Sequence, residues 1–446
     1  MSEQTTVQPP EDELVVRPVV VEPPVSTTQR YATAGVLVGL GLITIWLFAL
    51  RADWDAHAKL RFGALNDPKV HQLSFPSAPV CLAIGIVIVT LGLLWLAVPR
   101  RRWFGAIVGS ALGLFVVALL CWMSSRNQFS QLDLVGLGSS TIQVAVPLIL
   151  GALCGVMCER SGVINVAIEG QMLAGAWTGA LVGTLVGSLV GIVGAALAGA
   201  LMGWILAVFA IRYLVNQVVL GVVLNVFAAG LTGFFYDAFM QPHVESLNQP
   251  ALLDPISLPL LSKIPILGPL LFEQSIIVYI TYVLIVVVDV WLFRTRWGLR
   301  TRAVGEHPKA ADTVGINVLA MRYRNVIIGG AIAGIGGAYF TFQVGQFQKN
   351  ITSGYGFIAL AAVIFGRWTP LGAFGAALLF EASEALRIAI SLSPPTGDLG
   401  NVIRAIPPEF YGSLPYVVTL VVLVAFAGRS VAPAADGKPY VREART

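Results

Sequence analysis

Charge is scarce in this chain. Its 446 residues include 28 Lys and Arg and 24 Asp and Glu, 12% in all. A soluble domain carries about a quarter of its residues charged. With 56% hydrophobic residues and a mean hydropathy of +0.79, the composition excludes an ordinary water-soluble protein. Histidine is equally sparse: His57, His71, His243 and His307 lie scattered in loops, which argues against a histidine-based catalytic cluster. The four cysteines (Cys81, Cys121, Cys154 and Cys158) sit in apolar runs with no histidine or third thiol near them in sequence. They read as packing residues rather than metal or redox groups, and set no redox compartment. No G-x-x-x-x-G-K-[ST] phosphate loop occurs. A basic stretch interleaved with aromatics is also missing, so no nucleic-acid partner is expected. The alternation of a membrane barrel is absent, and runs such as Val80 to Val98 are almost continuously apolar.

What is present is a series of apolar runs near the roughly 20 residues that cross a bilayer as a helix. The expected fold class is all-α, a polytopic integral membrane helical bundle of about ten to twelve segments. Twelve are read, at 31–50, 77–98, 103–123, 141–158, 171–188, 190–211, 217–236, 276–294, 326–342, 355–366, 371–392 and 414–428. The tenth is short for a full crossing and reads as a broken or re-entrant piece. Residues 1–30 are acidic and rich in proline, predicting a disordered tail without the basic-then-apolar order of a cleavable signal. Residues 31–140 read as an N-terminal transmembrane extension, 141–428 as the main transmembrane domain and 429–446 as a C-terminal tail.

Basic residues concentrate on cytoplasmic loops. Placing both termini inside puts Arg100, Arg101, Arg102, Arg212, Arg367 and Arg429 on the cytosolic side. The loop at 295–325, counted from Arg294, joins them with Arg294, Arg296, Arg300, Arg302, Lys309, Arg322 and Arg324 against Glu306 and Asp312.

Two local patterns carry the functional reading. Between Cys158 and Gln171 the apolar run is broken by Glu159, Arg160, Ser161, Gly162, Asn165, Glu169 and Gly170. A carboxylate at membrane depth faces a cavity or a partner, and broken helices line transporter sites. An ordinary cytosolic turn, with Asn165 capping the next helix, fits the composition equally well. Gln217, Asn225 and Gln343 add uncharged amides suited to a neutral polar solute. Asn165, Glu169, Gln217, Asn225 and Gln343 are the candidate pathway residues. Glu384 and Arg387, one helical turn apart, read as an ion pair.

The second pattern is a short polar helix at Lys309-Ala310-Ala311-Asp312-Thr313-Val314-Gly315, with Pro308 at its first turn and Gly315 at its exit. Its paired alanines and following glycine resemble the coupling loop of ATP-binding-cassette (ABC) importer permeases. A wider series occurs in order. It runs from Glu159-Arg160-Ser161-Gly162-Val163-Ile164-Asn165 and Glu169-Gly170 to Asn216-Gln217-Val218-Val219 with Gly221 and Asn225. It continues with Gly305-Glu306-His307-Pro308-Lys309-Ala310-Ala311, then Gly356 to Ala361 and Gly366-Arg367-Trp368-Thr369-Pro370. This series resembles the permeases of bacterial nucleoside and simple-sugar ABC importers, related to ribose and branched-chain amino-acid permeases. It is most similar to the second permease of guanosine or purine-nucleoside importers. Asn216, His307 and Thr369 depart from the family pattern.

The resemblance implies a multi-pass subunit of the bacterial cell membrane that moves a small polar solute inward without enzymatic activity of its own. It implies a cytosolic ABC ATPase, a second permease and an extracytoplasmic substrate-binding lipoprotein or periplasmic protein as partners. No cofactor belongs to this chain, since ATP is bound by the ATPase. Gly305, Glu306, Pro308, Ala310, Ala311 and Gly315 become the ATPase-coupling residues. Nucleoside and sugar both remain open as solutes, and so do homodimer and heterodimer. A proton-coupled transporter using Glu169, Glu381 or Glu384 is the rival from another class. A bulky residue at Ala311 is expected to uncouple ATP hydrolysis from uptake, read as solute accumulated per ATP consumed; full coupling would contradict this.

Overall fold

The computed structural model describes residues 26–51, 54–62, 71–99, 101–126, 132–392 and 431–441. The chain divides into two compact units, residues 1–56 with 76–122, and residues 57–75 with 123–446. In the first, α1 (Thr27–Thr44) runs on through a π-helical turn at Ile45–Leu50. It lies antiparallel to α2 (Ser77–Ala97), with Gly41 against Val89 and Gly85 against Ile45. Leu37, Ile88 and Ala111 form its buried core, the last from α3 (Arg101–Arg126).

The second unit begins with a small sheet of order β2 (His71–Pro76), β1 (His57–Phe62), β3 (Leu132–Asp133). Two helices then form its centre. One is α4 (Leu134–Glu159), buried from Ala145 through Glu159, and the other is α13 (Val318–Val344). A helix apolar on all sides belongs in a core rather than on a surface, and the run Leu148 to Cys158 meets that condition. Around them lie α5 (Ile168–Val186), α6 (Ser188–Ala207, then a π turn at Val208–Arg212) and α7 (Gln217–Phe235, then a π turn at Tyr236–Met240). The connection to α10 (Ile276–Arg294) contains α8 (Val244–Leu247), α9 (Leu267–Leu271) and a two-stranded ribbon of β4 (Ile256–Ser257) and β5 (Glu273–Gln274). The loop helices α11 (Arg296–Glu306) and α12 (Pro308–Thr313) precede α13, and α14 (Tyr355–Phe365) and α15 (Pro370–Leu392) follow it.

Close approach is the packing device of this centre. A Cβ on Gly334 would collide with Ala195 O, and one on Gly337 would collide with Met172 O. Small residues let membrane helices approach until dispersion and backbone contacts hold them. By contrast, Val193, Leu197 and Leu201 of α6 and Val283, Val286 and Val290 of α10 are exposed, as a lipid-facing surface demands.

Among the described residues, eight helices are long and apolar enough to span a membrane. Helices α5 and α15 match two further expected segments, and α14 has only 11 residues, in keeping with its short apolar run. The expected segment at 414–428 and most of the 1–30 tail lie outside the described residues. One boundary moves: α13 starts at Val318, so Arg322 and Arg324 belong to a helix rather than to the 295–325 loop. Arg322 is only 2% exposed, which net charge along the chain does not foretell.

Gly337→Val is expected to lower the melting temperature of the detergent-solubilised protein, since overpacking costs about 1–3 kcal/mol. Val283→Ala on the exposed face of α10 should leave it unchanged. Equal melting temperatures for the two variants would remove close helix approach as the stabilising device.

Candidate functional site

The break between α4 and α5 is a short stretch of irregular backbone, residues 160–167, inside the helical unit. Its entry is closed by Gly162 N–H donating to Glu159 O at 2.9 Å and Val163 N–H to Cys158 O at 3.2 Å. Gly162 stands at φ +85°, a left-handed conformation that favours glycine. Beyond it, the exposed backbone groups find side chains of α7. Ile164 N–H donates to Gln217 Oε1 at 2.8 Å. Asn225 donates from Nδ2 to Val166 O at 2.9 Å and accepts at Oδ1 from Gly170 N–H at 2.8 Å. Gln217 and Asn225 are eight residues apart, near two helical turns, which brings both amides to one side of α7.

Asn165 is fully buried and bonded within the same region. Its Nδ2 donates to Gln171 Oε1 at 3.0 Å and to Cys154 Sγ at 3.2 Å, and its Oδ1 accepts from Ala167 N–H at 3.1 Å. An unpartnered buried polar group costs about 1–3 kcal/mol, and these bonds remove several such penalties at once. The paired thiols of α4 thus serve as weak acceptors for an amide.

Glu169, in the first turn of α5, reaches the beginning of α14. Its Oε1 accepts from Thr352 Oγ1 at 2.6 Å and Gly354 N–H at 2.9 Å, and its Oε2 accepts from Gly356 N–H at 2.7 Å. The carboxylate therefore caps a helix N-terminus, where backbone donors and the helix dipole favour negative charge. A Cβ on Gly356 would collide with the backbone of Glu169, so this contact needs glycine. The structure gathers Asn165, Glu169, Gln217 and Asn225 around the break, each bonded within the fold. Gln343 lies apart from them, exposed near the end of α13.

The opposite end of the break meets the turn before α15. Glu159 accepts from Trp368 Nε1, while Arg160 donates from Nε to Trp368 O at 2.7 Å and from Nη2 to Arg367 O at 3.2 Å. Arg367 and Trp368 both hold positive φ, +54° and +53°, uncommon for non-glycine residues. Glu384 and Arg387 form the expected pair, with Arg387 Nε to Glu384 Oε2 at 2.8 Å.

The loop helices sit directly on this junction. Gly305 packs so closely on Arg160 O that a Cβ would overlap it. Pro308 opens α12 at its first turn, and Gly315 leaves it at φ +86° with Ile316 N–H returning to Ala311 O at 3.0 Å. Ala310 and Gly315 are exposed. Ala311 turns inward, 3% exposed, and packs with Val304, Val318, Met321 and Tyr440. Glu306 Oε2 accepts from Ala434 N–H at 3.1 Å.

Sequence reasoning gave no site role to three participants: Arg322, Trp368 and the segment 431–441. Pro433, Gly437 and Pro439 signal a turn in that segment, but nothing local indicates where it docks. Burial pushes the Asp436 carboxyl up to about 7, with the Arg322 guanidinium opposing the rise.

Glu169→Gln is expected to destabilise the protein by about 1–3 kcal/mol, because the new amide would turn donors toward the N–H groups of Gly354 or Gly356. The readouts are a lower melting temperature and faster proteolysis within 346–355. Wild-type values for both would show that the carboxylate does not anchor α14.

Residues 138–425 match the family described as branched-chain amino acid transport system / permease component. The chain is 40% identical over 319 residues to the guanosine ABC transporter permease protein NupQ of Bacillus subtilis, covering 69% of this chain and 96% of that one. It is 37% identical over 307 residues to the nucleoside ABC transporter permease protein NupC of Lactococcus lactis, covering 67% and 94%. A putative glucose ABC transporter permease protein of Haloferax volcanii, TsgC13, is 34% identical over 299 residues, covering 65% and 90%. No solved structure matches. The buried break, the close-packed helices and the polar loop helix mounted on them thus occur in a multi-pass membrane protein that belongs to the branched-chain amino acid transport system / permease component family.

Proposed function

We propose that this chain is the membrane permease subunit of an ABC importer that brings nucleosides into the cell. Two of its relatives carry guanosine or nucleoside in their names, at 40% and 37% identity over nearly their whole lengths. The observation that carries the mechanism is the backbone contact of Gly305 with Arg160 O. Movement of α11 and α12 reaches the break with no long side chain in between.

In this reading a separate cytosolic ATPase binds ATP and pushes on α12, where Ala310 and Gly315 are exposed. Gly305, Glu306, Pro308 and Ala311 hold that helix in place. ATP-driven closure of the ATPase moves the loop, and the break moves with it. A second permease completes the pathway, and an extracytoplasmic binding protein delivers the solute. The transport step is a change between two conformations and requires no nucleophile or general base in this chain. Both termini lie inside, as the basic loops favour; segment 431–441 and α11 already share one end of the unit. Asn165, Gln217 and Asn225 shape the pathway wall by fixing the break, Glu169 does so by holding the start of α14 to α5, and Gln343 offers an exposed amide.

The test is reconstitution of this chain with its ATPase, second permease and binding protein in proteoliposomes. Labelled guanosine should accumulate only with ATP, and unlabelled nucleosides should compete while glucose does not. Competition by glucose alone would favour the sugar reading that the Haloferax relative suggests. Uptake driven by a proton gradient without the ATPase would overturn the proposal.

A further inference from the structure

Residues 431–441 return to the loop end of the second unit and lie against α11, α12 and the break. Ala435 N–H donates to Gly305 O at 2.8 Å, and Ala434 N–H donates to Glu306 Oε2 at 3.1 Å. Arg322 Nη1 donates to Lys438 O at 2.9 Å. The segment is itself folded. Asp436 N–H bonds to Pro433 O at 3.0 Å, Lys438 N–H to Ala435 O at 3.2 Å, and Gly437 turns at φ +71° over Ile164. Pro433, Ala435 and Tyr440 point inward and are buried, Tyr440 beside Ala311 of the loop helix. The segment thus reaches both α12, through Tyr440, and the break, through Ala435 and Gly437.

Their outer side forms something else. A cleft of about 730 Å³ opens between the segment and α12, with Glu306, His307, Lys309, Ala310, Lys438 and Tyr440 among its walls. Lys309, Ala310 and Lys438 are exposed there. Lys309, Lys438 and Glu306 are its charged lining residues, and the Glu306 carboxylate accepts the Ala434 N–H. Two lysines against one glutamate give the cleft lining a basic excess, beside the small residues Ala310, Ala434 and Ala435.

We propose that segment 431–441 and α12 form one composite docking surface, whose cleft receives a carboxylate-bearing segment of the ATPase. This rests on the reading above that α12 meets that ATPase. Continuity supports the choice of occupant, since Lys309 and Ala310 belong both to α12 and to the cleft wall. Charge supports its chemistry. Because the inner side of the segment is bonded to Gly305, Glu306 and Arg322, a partner seated in the cleft bears on the loop and the break together.

The test compares ATPase binding and uptake per ATP for the full chain, Lys438→Glu, Tyr440→Ala and a chain ending at residue 430, all in lipid nanodiscs or proteoliposomes. Melting temperature and association with the second permease establish that each variant is assembled. Lys438→Glu should weaken ATPase binding about five-fold at low salt, as expected for a steering charge at an interface rim, with the difference shrinking as salt rises. Tyr440→Ala removes the buried side chain that holds the segment beside Ala311. That variant and the shortened chain should both bind the ATPase about ten-fold or more weakly, the scale of losing an interface element, and take up less solute per ATP. Full-chain affinity and coupling in all three variants would overturn the proposal. Unchanged binding by Lys438→Glu would by itself overturn the carboxylate assignment. Self-association of the full chain without ATPase, lost in the shortened chain, would give the cleft to a second copy and also overturn it. If the unaltered chain fails to bind any ATPase, the importer reading falls first, and that outcome is separate.

Discussion

Irregular backbone inside a membrane protein has to be hydrogen-bonded by protein, because lipid offers no substitute. The break at 160–167 meets this constraint through a few fixed side chains, and much of the second unit is arranged to supply them. Gln217 and Asn225 of α7 and Asn165 of the break itself take up backbone groups, and Gln171 of α5 accepts from the Asn165 side-chain amide. Partnered buried groups of this kind make a region rigid, and most members here are partnered, while Gln171 Nε2 is buried without an acceptor among the described residues. The break therefore has one defined shape rather than the freedom of a loop, and a defined shape can be moved as a piece.

The rest of the unit separates rigid from exposed parts. Glycines of α13 bring its backbone against α5 and α6, leaving no space for a side chain at Gly334 or Gly337. Glu169 then ties α5 to the start of α14. On one end, Arg160, Gly305, Trp368 and segment 431–441 form a junction between the break, the loop helices and the turn before α15. Backbone packed directly on backbone transmits displacement without slack, since protein interiors are close-packed and resist compression.

Much of this was legible in the chain. Helical spans follow from length and hydropathy, so α10 runs from Ile276 to Arg294, the residues at which its apolar run begins and ends. The interruption was visible because glycine and charge stand out in an apolar run. The short loop helix was visible because Pro308 and Gly315 mark its two ends. Roles were harder. Asn225 and Val166 are 59 residues apart, and Trp368 and Glu159 are 209 apart. No pattern within one helix announces such partners. Of the amides that look suited to a solute, Asn165, Gln217 and Asn225 bond backbone groups, while Gln343 is exposed. Ala311, taken from its motif as a contact surface, faces the core.

Composition and order along the chain determined that this protein lives in a bilayer, where its helices run, and where polar residues interrupt them, because hydropathy and backbone propensity are local properties. Only the tertiary structure decided what each interruption does. Hydrogen-bond partners are fixed by proximity in space: Glu169 caps α14, Gly305 carries the break, and a C-terminal segment that reads as a tail folds back onto the loop helix.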